Sequence, residues 1–401
     1  MKAQPVNFAV MLMDIELPAG GGFQQAINDC KVLTAISQDH CNITYVTNVK
    51  VNVQRLEQFG KPVVYLPLSS LRKLSLWMRS KISFAKALKL VSAVFGQNYL
   101  DSFLSKHSID LVHFVNPSRL ANFLEKHPYT TTVWDLCHRD ELDFPEVRSD
   151  REFERRESFY KTLLPKATAI LVDSPESRQK LSHRYGVDLN RVEVMPFLPA
   201  PRIEGSDSKA SSITEKYILY PAQLWPHKNH AYILRALKIL KDQGTTLHAV
   251  FCGGDRDGSQ SRLKKLSESL GVSEQIHWMG FVPDEDVIGL FKKAEALVMP
   301  TYFGPTNLPP LEAFQYKVPV IYSNIEGSEN FLKDAALYTD LSNPKSLADH
   351  LYNLLNNPEL KQRLVSNGER RLEEIKAYDR VGTWTKILNT FQSRLSAWKD
   401  S

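Results

Sequence analysis

Short runs that are apolar throughout, set between segments of helical periodicity, constrain this chain more than any other feature. Residues 7–13, NFAVMLM, read as a buried strand; a glycine loop follows, and Phe23, Ile27, Cys30 and Leu33 then fall on one face of a helix. NITYVTN, PVVYLPL, DLVHFVN, YTTTVWD and AILVDS are further runs of this kind, mostly separated by helical patterns. Strands without strict alternation are expected of a parallel sheet covered on both faces, so the opening reads as a doubly wound α/β unit.

The stretch IEGSDSKASSI has linker composition, rich in Ser, Gly and charge and without apolar periodicity. Beyond it the alternation restarts, with strands at YILYPAQ, LHAVFCGG, IHWMGFV, ALVMPTY and VPVIYSN. A chain of 401 residues also exceeds what one hydrophobic core usually supports. The expectation is an α/β protein with two Rossmann-like doubly wound parallel-sheet domains facing across a cleft. Their bounds are 1–198 and 214–378, with a linker over 199–213 and a final helix, 379–401, packing back toward the first domain.

Composition excludes several classes. The net charge of +5, set against 50 basic and 45 acidic side chains, does not describe a dedicated nucleic-acid binder. Cys30, Cys41, Cys137 and Cys252 form no CxxC pair and no zinc spacing, which suits reduced thiols in the cytoplasm. The N-terminal MKAQPVNFAVMLMD has too short an apolar run for a signal peptide, and no stretch approaches a membrane span.

Three loops between strand and helix are candidates for chemistry. Gly20, Gly21 and Gly22 leave backbone N–H groups bare at a helix start, although the spacing is not GxGxxG and a tight turn without ligand accounts for it equally. In PAQLWPHKNH, Lys228 precedes Asn229, a good N-cap, so a cation and a helix N-terminus would face one space; a solvated lysine is the bland alternative. In PTYFGPTNLPPLEAF, Pro309 and Pro310 suit a first helical turn and Thr306 or Asn307 can cap it. Gly304 to Leu308 would then offer backbone donors, and Glu312, one turn in, either accepts from sugar hydroxyls or complements the dipole.

Taken together, QLWPHKN, the run MGFVPDEDVIGLFKKAEALVMPTYFGPTNLPPLEAFQYKVPVIYSNIEGSEN and DAALYTDLSNPKSLADHLYNLL resemble the donor-binding half of retaining glycosyltransferase family 4, which has the GT-B fold. LPAGGGFQQAINDCKVL and DSPESRQKLSHRYGVDLNRVEVMPF extend the resemblance over nearly the whole chain. It implies transfer of a sugar from a nucleotide diphosphate sugar, with retention and without metal or other cofactor. Lys228 would neutralise the leaving diphosphate, Glu312 would hold the ribose, and the Gly20 to Gly22 loop, with Gly21 and Gly22 near the donor, would line the cleft from the acceptor side. Gln223, Gly304, Thr306, Asn307 and Leu308 complete the implied donor site. At two positions the pattern departs: Gly304 stands where the family usually has an acidic residue, with PTN replacing GFG, and Gln223 stands where an Arg is often found.

In VWDLCHRDELDFPEV, Asp135, His138 and Asp140 are expected beside the cleft, His138 either bonding a sugar or lying on the surface held by a carboxylate; Trp134 occupies a place where the family often has His. Asp255 to Asp257, DRD, resembles a metal motif of another transferase fold but reads better here as a loop. Residues 70–91 mix Arg72, Lys73, Arg79, Lys81, Lys86 and Lys89 with Leu74, Trp77, Met78 and Phe84, a basic amphipathic pattern that suits anionic lipid or simply covers the sheet. The expected activity is that of a cytoplasmic mannosyltransferase-like enzyme of polysaccharide, lipopolysaccharide or O-antigen biosynthesis, with GDP-mannose as donor and a glycan or lipid-linked glycan as acceptor. A nucleotide-sugar epimerase or hydrolase on the same fold, or a non-catalytic sugar-nucleotide-binding subunit, are the rival readings.

Overall fold

The computed structural model describes residues 4–15, 20–82, 85–201, 213–255, 257–304 and 306–399, without the side chains of 85, 86 and 88. Most of the expected linker, together with Phe84, Pro305, Arg256 and the side chain of Lys86, lies outside the described residues.

Two compact units are present. Unit 1 comprises Met1–Leu136, Glu154–Pro196 and Asp379–Ser401, and unit 2 comprises Cys137–Phe153 and Phe197–Tyr378. Unit 1 holds β1 (Val6–Leu12), β2 (Cys41–Thr47), β3 (Val63–Tyr65), β4 (Leu111–Phe114), β5 (Tyr129–Val133), β6 (Ala169–Val172) and β7 (Val192–Val194). Their order is β3-β2-β1-β4-β5-β6-β7, and every pairing is parallel. Along β1 the side chains alternate between two buried layers: Val6, Phe8, Val10 and Leu12 on one face, Ala9 and Met11 on the other. Burial on both faces is what the unbroken apolar runs require.

The last helix, Arg380–Lys399, closes one of those layers. Its Trp384 is fully buried, 5.5 Å from the Phe8 ring and edge-on to His113 at 4.5 Å. Arg380 is buried beside Asp29 and donates to the carbonyl of Pro196 at 2.8 Å. Burial still dominates at Asp29 and pushes its carboxyl up to about 8 against the opposing Arg380 charge.

Unit 2 holds β8 (Tyr217–Pro221), β9 (His248–Cys252), β10 (Ile276–Gly280), β11 (Ala296–Met299), β12 (Val320–Ser323) and β13 (Ala336–Thr339). The order is β10-β9-β8-β11-β12-β13, again all parallel. In each sheet the chain runs outward in one direction, returns, and continues on the other side of its first strand. The reversal falls between β1 and β4 in unit 1 and between β8 and β11 in unit 2. Loops at the carboxyl ends of such neighbours diverge to opposite faces and leave a crevice, the usual ligand position of open α/β sheets.

One segment does not follow chain order. Cys137–Phe153, expected within the first domain, packs with unit 2, so the chain leaves unit 1 after Leu136 and rejoins it at Glu154.

Candidate active site

The crevice of unit 2 is built from the loops after β8 and β11. At the start of the β8 loop the backbone lies so close to β9 that a Cβ on Gly253 would sit 2.1 Å from the carbonyl oxygen of Ala222, so this position admits only glycine. Leu224 N–H donates to Gly254 O at 3.1 Å, and the Trp225 indole N–H donates to the Gln223 side chain at 2.6 Å. Gln223 is therefore engaged within its own loop.

Pro226–Lys228 form a single 3-10 turn, in which Lys228 N–H donates to Trp225 O at 2.9 Å and Lys228 O accepts from the Tyr220 hydroxyl at 2.9 Å. Asn229 occupies the N-cap of the helix His230–Asp242, but its φ is 56° and its side chain makes no capping bond. Side-chain capping needs the extended backbone that this left-handed residue lacks, which corrects the expectation from sequence. His230 is buried against Tyr220 and Phe251, and burial, followed by the nearby Lys228 and His227, pushes its pKa down to about 3. A neutral imidazole thus underlies the loop that carries the lysine.

The β11 loop is held just as closely. Thr301 Oγ1 donates to Phe303 O, and Ser323 Oγ donates to Thr301 O at 2.6 Å. Gly304 has φ +80°, a left-handed conformation that favours glycine. Its carbonyl accepts from the Tyr322 hydroxyl at 2.6 Å and from the Asn307 side-chain amide. Asn307 stands at the N-cap of Leu308–Gln315 in extended conformation, yet its side chain turns back to Gly304 and Tyr322 and does not cap this helix. Pro309 and Pro310 occupy the first turn as expected. The Leu308 side chain points into the core, and Glu312, one turn further, is 3% exposed.

His227 joins the two loops. Its C=O accepts from Tyr302 N–H at 2.9 Å, and its ring stacks on Phe303 with centroids 3.8 Å apart and planes within 14°. A third element arrives from the Cys137–Phe153 segment: Phe144 packs against His227, Tyr302 and Phe303, and Glu146 accepts from both the backbone N–H (3.0 Å) and Nδ1 of His227. Burial opposes ionisation of Glu146, but the His227 bonds and its own backbone hold the carboxyl below the usual range. Neither residue carried a sequence signal, because a Glu after Pro at a helix start looks like ordinary dipole complementation.

Seven expected donor residues, Gln223, Lys228, Gly304, Thr306, Asn307, Leu308 and Glu312, thus lie on the two adjacent loops and the helix after them. His138 does not join them at a surface. It is in unit 2 with no exposed surface, its ring 5.8 Å from Phe153, so it is not a surface histidine. Asp135 belongs to unit 1, where it pairs with Arg156 and its carbonyl accepts from the Tyr160 hydroxyl at 3.2 Å. Burial works against the Arg156 charge, and Asp135 and Tyr160 together outweigh it, raising the guanidinium pKa further.

In unit 1, Gly20 (φ 70°) precedes the helix Gly21–Thr34, also without a side-chain cap, at the end of β1 beside the strand-order reversal. A Cβ on Gly22 would meet the Trp134 ring at 2.7 Å, so the indole contact alone favours glycine there. Sequence reasoning missed Asp173, at the end of β6, whose carboxyl burial pushes up to about 6 despite bonds from Ser177, the backbone and Ser174. Asp255 and Asp257 accept from the N–H groups of Gln260 and Ser259 at the start of the helix Ser259–Ser269, the loop role expected. Among the described residues no group of three or more His, Cys, Asp or Glu could hold a metal.

Two such parallel sheets, each with loops opening at its reversal, constitute the GT-B architecture, and solved structures sharing it are glycosyltransferases. Residues 203–371 match the family described as Glycosyl transferases group 1. O-antigen chain mannosyltransferase B of Escherichia coli is 21% identical over 376 residues, covering 83% of this chain and 98% of that protein. O-antigen chain mannosyltransferase RfbU of Salmonella typhimurium is 25% identical over 215 residues, 54% of this chain and 58% of that one. The Anabaena protein HepE, solved with UDP and glucose, superposes with a TM-score of 0.66 at 15% identity over 98% of this chain and 99% of its own. The chain is therefore related, at low identity, to group 1 glycosyltransferases.

Proposed function

We propose that this protein is a retaining, metal-independent hexosyltransferase that moves a sugar, mannose from GDP-mannose, onto a polysaccharide or lipid-linked glycan in bacterial O-antigen or lipopolysaccharide assembly. The single observation carrying the reading is the contact of the Lys228 turn, through His227, with Tyr302 and Phe303 of the loop that leads into the helix Leu308–Gln315, at the reversal of the second sheet. Kinship with O-antigen mannosyltransferases supports the choice of sugar and pathway class.

The chemistry follows from what must be stabilised. Breaking the sugar–phosphate bond places negative charge on the diphosphate and positive charge on the sugar ring. Backbone N–H groups of Gly304 and Thr306–Leu308 and the Lys228 ammonium stabilise the former chiefly in the transition state. Glu312 holds the ribose. The acceptor hydroxyl attacks on the face the phosphate leaves, and a phosphate oxygen takes its proton, so no protein nucleophile is needed. Gly21 and Gly22 serve the acceptor side.

A lipid-linked acceptor gives a purpose to residues 70–91. Leu71, Leu74 and Trp77 on the helix Ser70–Ser80 and Leu90 and Val94 on Ala85–Phe95 are exposed, beside exposed Lys73, Lys81 and Lys89. No acidic residue occurs between Glu57 and Asp101. Arg72 and Arg79 are turned inward, Arg72 over the Tyr99 ring and Arg79 paired with Glu125, so only part of the basic pattern is offered outward. The proposed surface lies on the anionic inner face of the cell membrane. Among the described residues no helix is long and apolar enough to cross one. Co-sedimentation with vesicles that does not depend on anionic lipid rejects this contact.

The test of function is a screen of nucleotide diphosphate sugars for thermal stabilisation, followed by product analysis with and without acceptor. Transfer with retained anomeric configuration is expected. Turnover of donor alone identifies an epimerase or hydrolase, and binding without turnover a sugar-nucleotide-binding subunit.

A further inference from the structure

We infer that Glu146 is a positioning residue for Lys228, acting through His227 to hold the turn that presents the lysine and to lock it to Tyr302 and Phe303 of the β11 loop. The inference rests on the reading of Lys228 proposed above. His227 is fixed on every side. Glu146 takes its N–H and its Nδ1, Tyr302 donates to its C=O, Phe303 covers one face of the ring, and Phe144 packs edge-on to both aromatic rings. With Pro226 limiting the backbone before it, and Trp225 O and the Tyr220 hydroxyl holding the main chain of Lys228 itself, little freedom remains in the turn. Glu146 supplies the contact that comes from neither loop.

The carboxylate is an unusual choice for a purely structural prop. Its side chain is 11% exposed, and Oε2 is buried without a hydrogen-bond partner among the described residues. Leaving that oxygen unpaired costs free energy, which the two bonds that Oε1 makes to His227 must offset. It also sits on a segment that packs with unit 2 although the chain on both sides of it belongs to unit 1. Phe144 and Glu146 together account for how that segment engages the two loops.

The experiment uses the full chain and the variants Glu146→Ala, Glu146→Gln, Lys228→Ala and the double Glu146→Ala/Lys228→Ala. Without ligand, hydrogen exchange at the His227 and Tyr302 amides is expected to quicken at least tenfold in Glu146→Ala, while β8 and β11 keep their protection. Glu146→Gln, which retains an acceptor oxygen, is expected to stay close to the wild type. In calorimetric titrations with UDP and GDP, Glu146→Ala is expected to weaken binding about tenfold, and the double variant to bind no more weakly than Lys228→Ala alone, because residues acting through one another are not additive. Unchanged exchange at His227 and Tyr302 overturns the inference whether or not nucleotide binds. Additive losses also overturn it, since Glu146 would then act apart from Lys228. A wild-type chain that binds neither nucleotide overturns the proposed function instead, and exchange alone then judges the positioning.

Discussion

Replacing Gly253 with alanine tests whether the floor of the candidate site is as tightly built as the structure shows. The new Cβ would lie 2.1 Å from Ala222 O, 2.4 Å from its carbonyl carbon and 2.7 Å from Gln223 N. Since a carbon and a carbonyl oxygen approach to about 3.3 Å, the two backbones must part by roughly 1 Å. All three atoms are main chain, so no side-chain rotation relieves the contact. The separation breaks Gly253 N–H to Gly280 O, at 2.7 Å, and Leu224 N–H to Gly254 O, at 3.1 Å. Two hydrogen bonds at about 1 kcal/mol each and overpacking of about 1–3 kcal/mol give a local loss of roughly 3–5 kcal/mol. Hydrogen exchange at the Leu224 and Gly253 amides reads that loss as a lowered opening free energy. Because the displaced residues lead directly into the Lys228 turn, nucleotide affinity should fall with it. A change below about 1 kcal/mol, with binding preserved, would refute the reasoning.

Two further outcomes follow from unit 1. Trp384→Ala removes a fully buried indole from the layer containing Phe8 and His113 and should destabilise that unit by about 3–5 kcal/mol in urea unfolding, whereas an exposed helix residue such as Lys386 should tolerate alanine. His113 is pushed down to about 3 by burial from an ordinary value of 6.5, so the unfolded chain binds a proton there that the folded chain refuses. Its contribution is complete above pH 6.5 and is lost as pH falls toward 3. The stability difference between wild type and His113→Phe should therefore change by about 1.4 kcal/mol per pH unit between pH 4 and 6, in favour of the variant as acid is added.

Much of the architecture was legible because burial on both faces leaves a local mark. The apolar runs at 7–13, 296–299 and 320–323 announce strands, and the prolines at 309 and 310 announce a helix start. What depends on contacts remote in sequence left no such mark. Glu146 and His227 meet across 81 positions, and nothing in DFPEV distinguishes a carboxylate reaching another loop from one complementing its own helix. His138 read as polar and available, yet it is buried, because the segment carrying it packs with unit 2. Asn229 and Asn307 occupy N-cap positions as their residue type suggests. Their side chains do not cap, in one case because of a left-handed backbone and in the other because Gly304 and Tyr322 compete for the amide. Arg72 and Arg79 belonged to the basic pattern on paper and are taken up by Tyr99 and Glu125 in the fold.

The most direct measurement of the central claim is a calorimetric titration of UDP and GDP into the wild type and Lys228→Ala. Binding of at least one nucleotide by the wild type is predicted, with affinity about 10- to 100-fold lower in the variant, the size of a lost charge-assisted contact to phosphate. Equal affinities in the two proteins would contradict the placement of the diphosphate at the β8–β11 reversal.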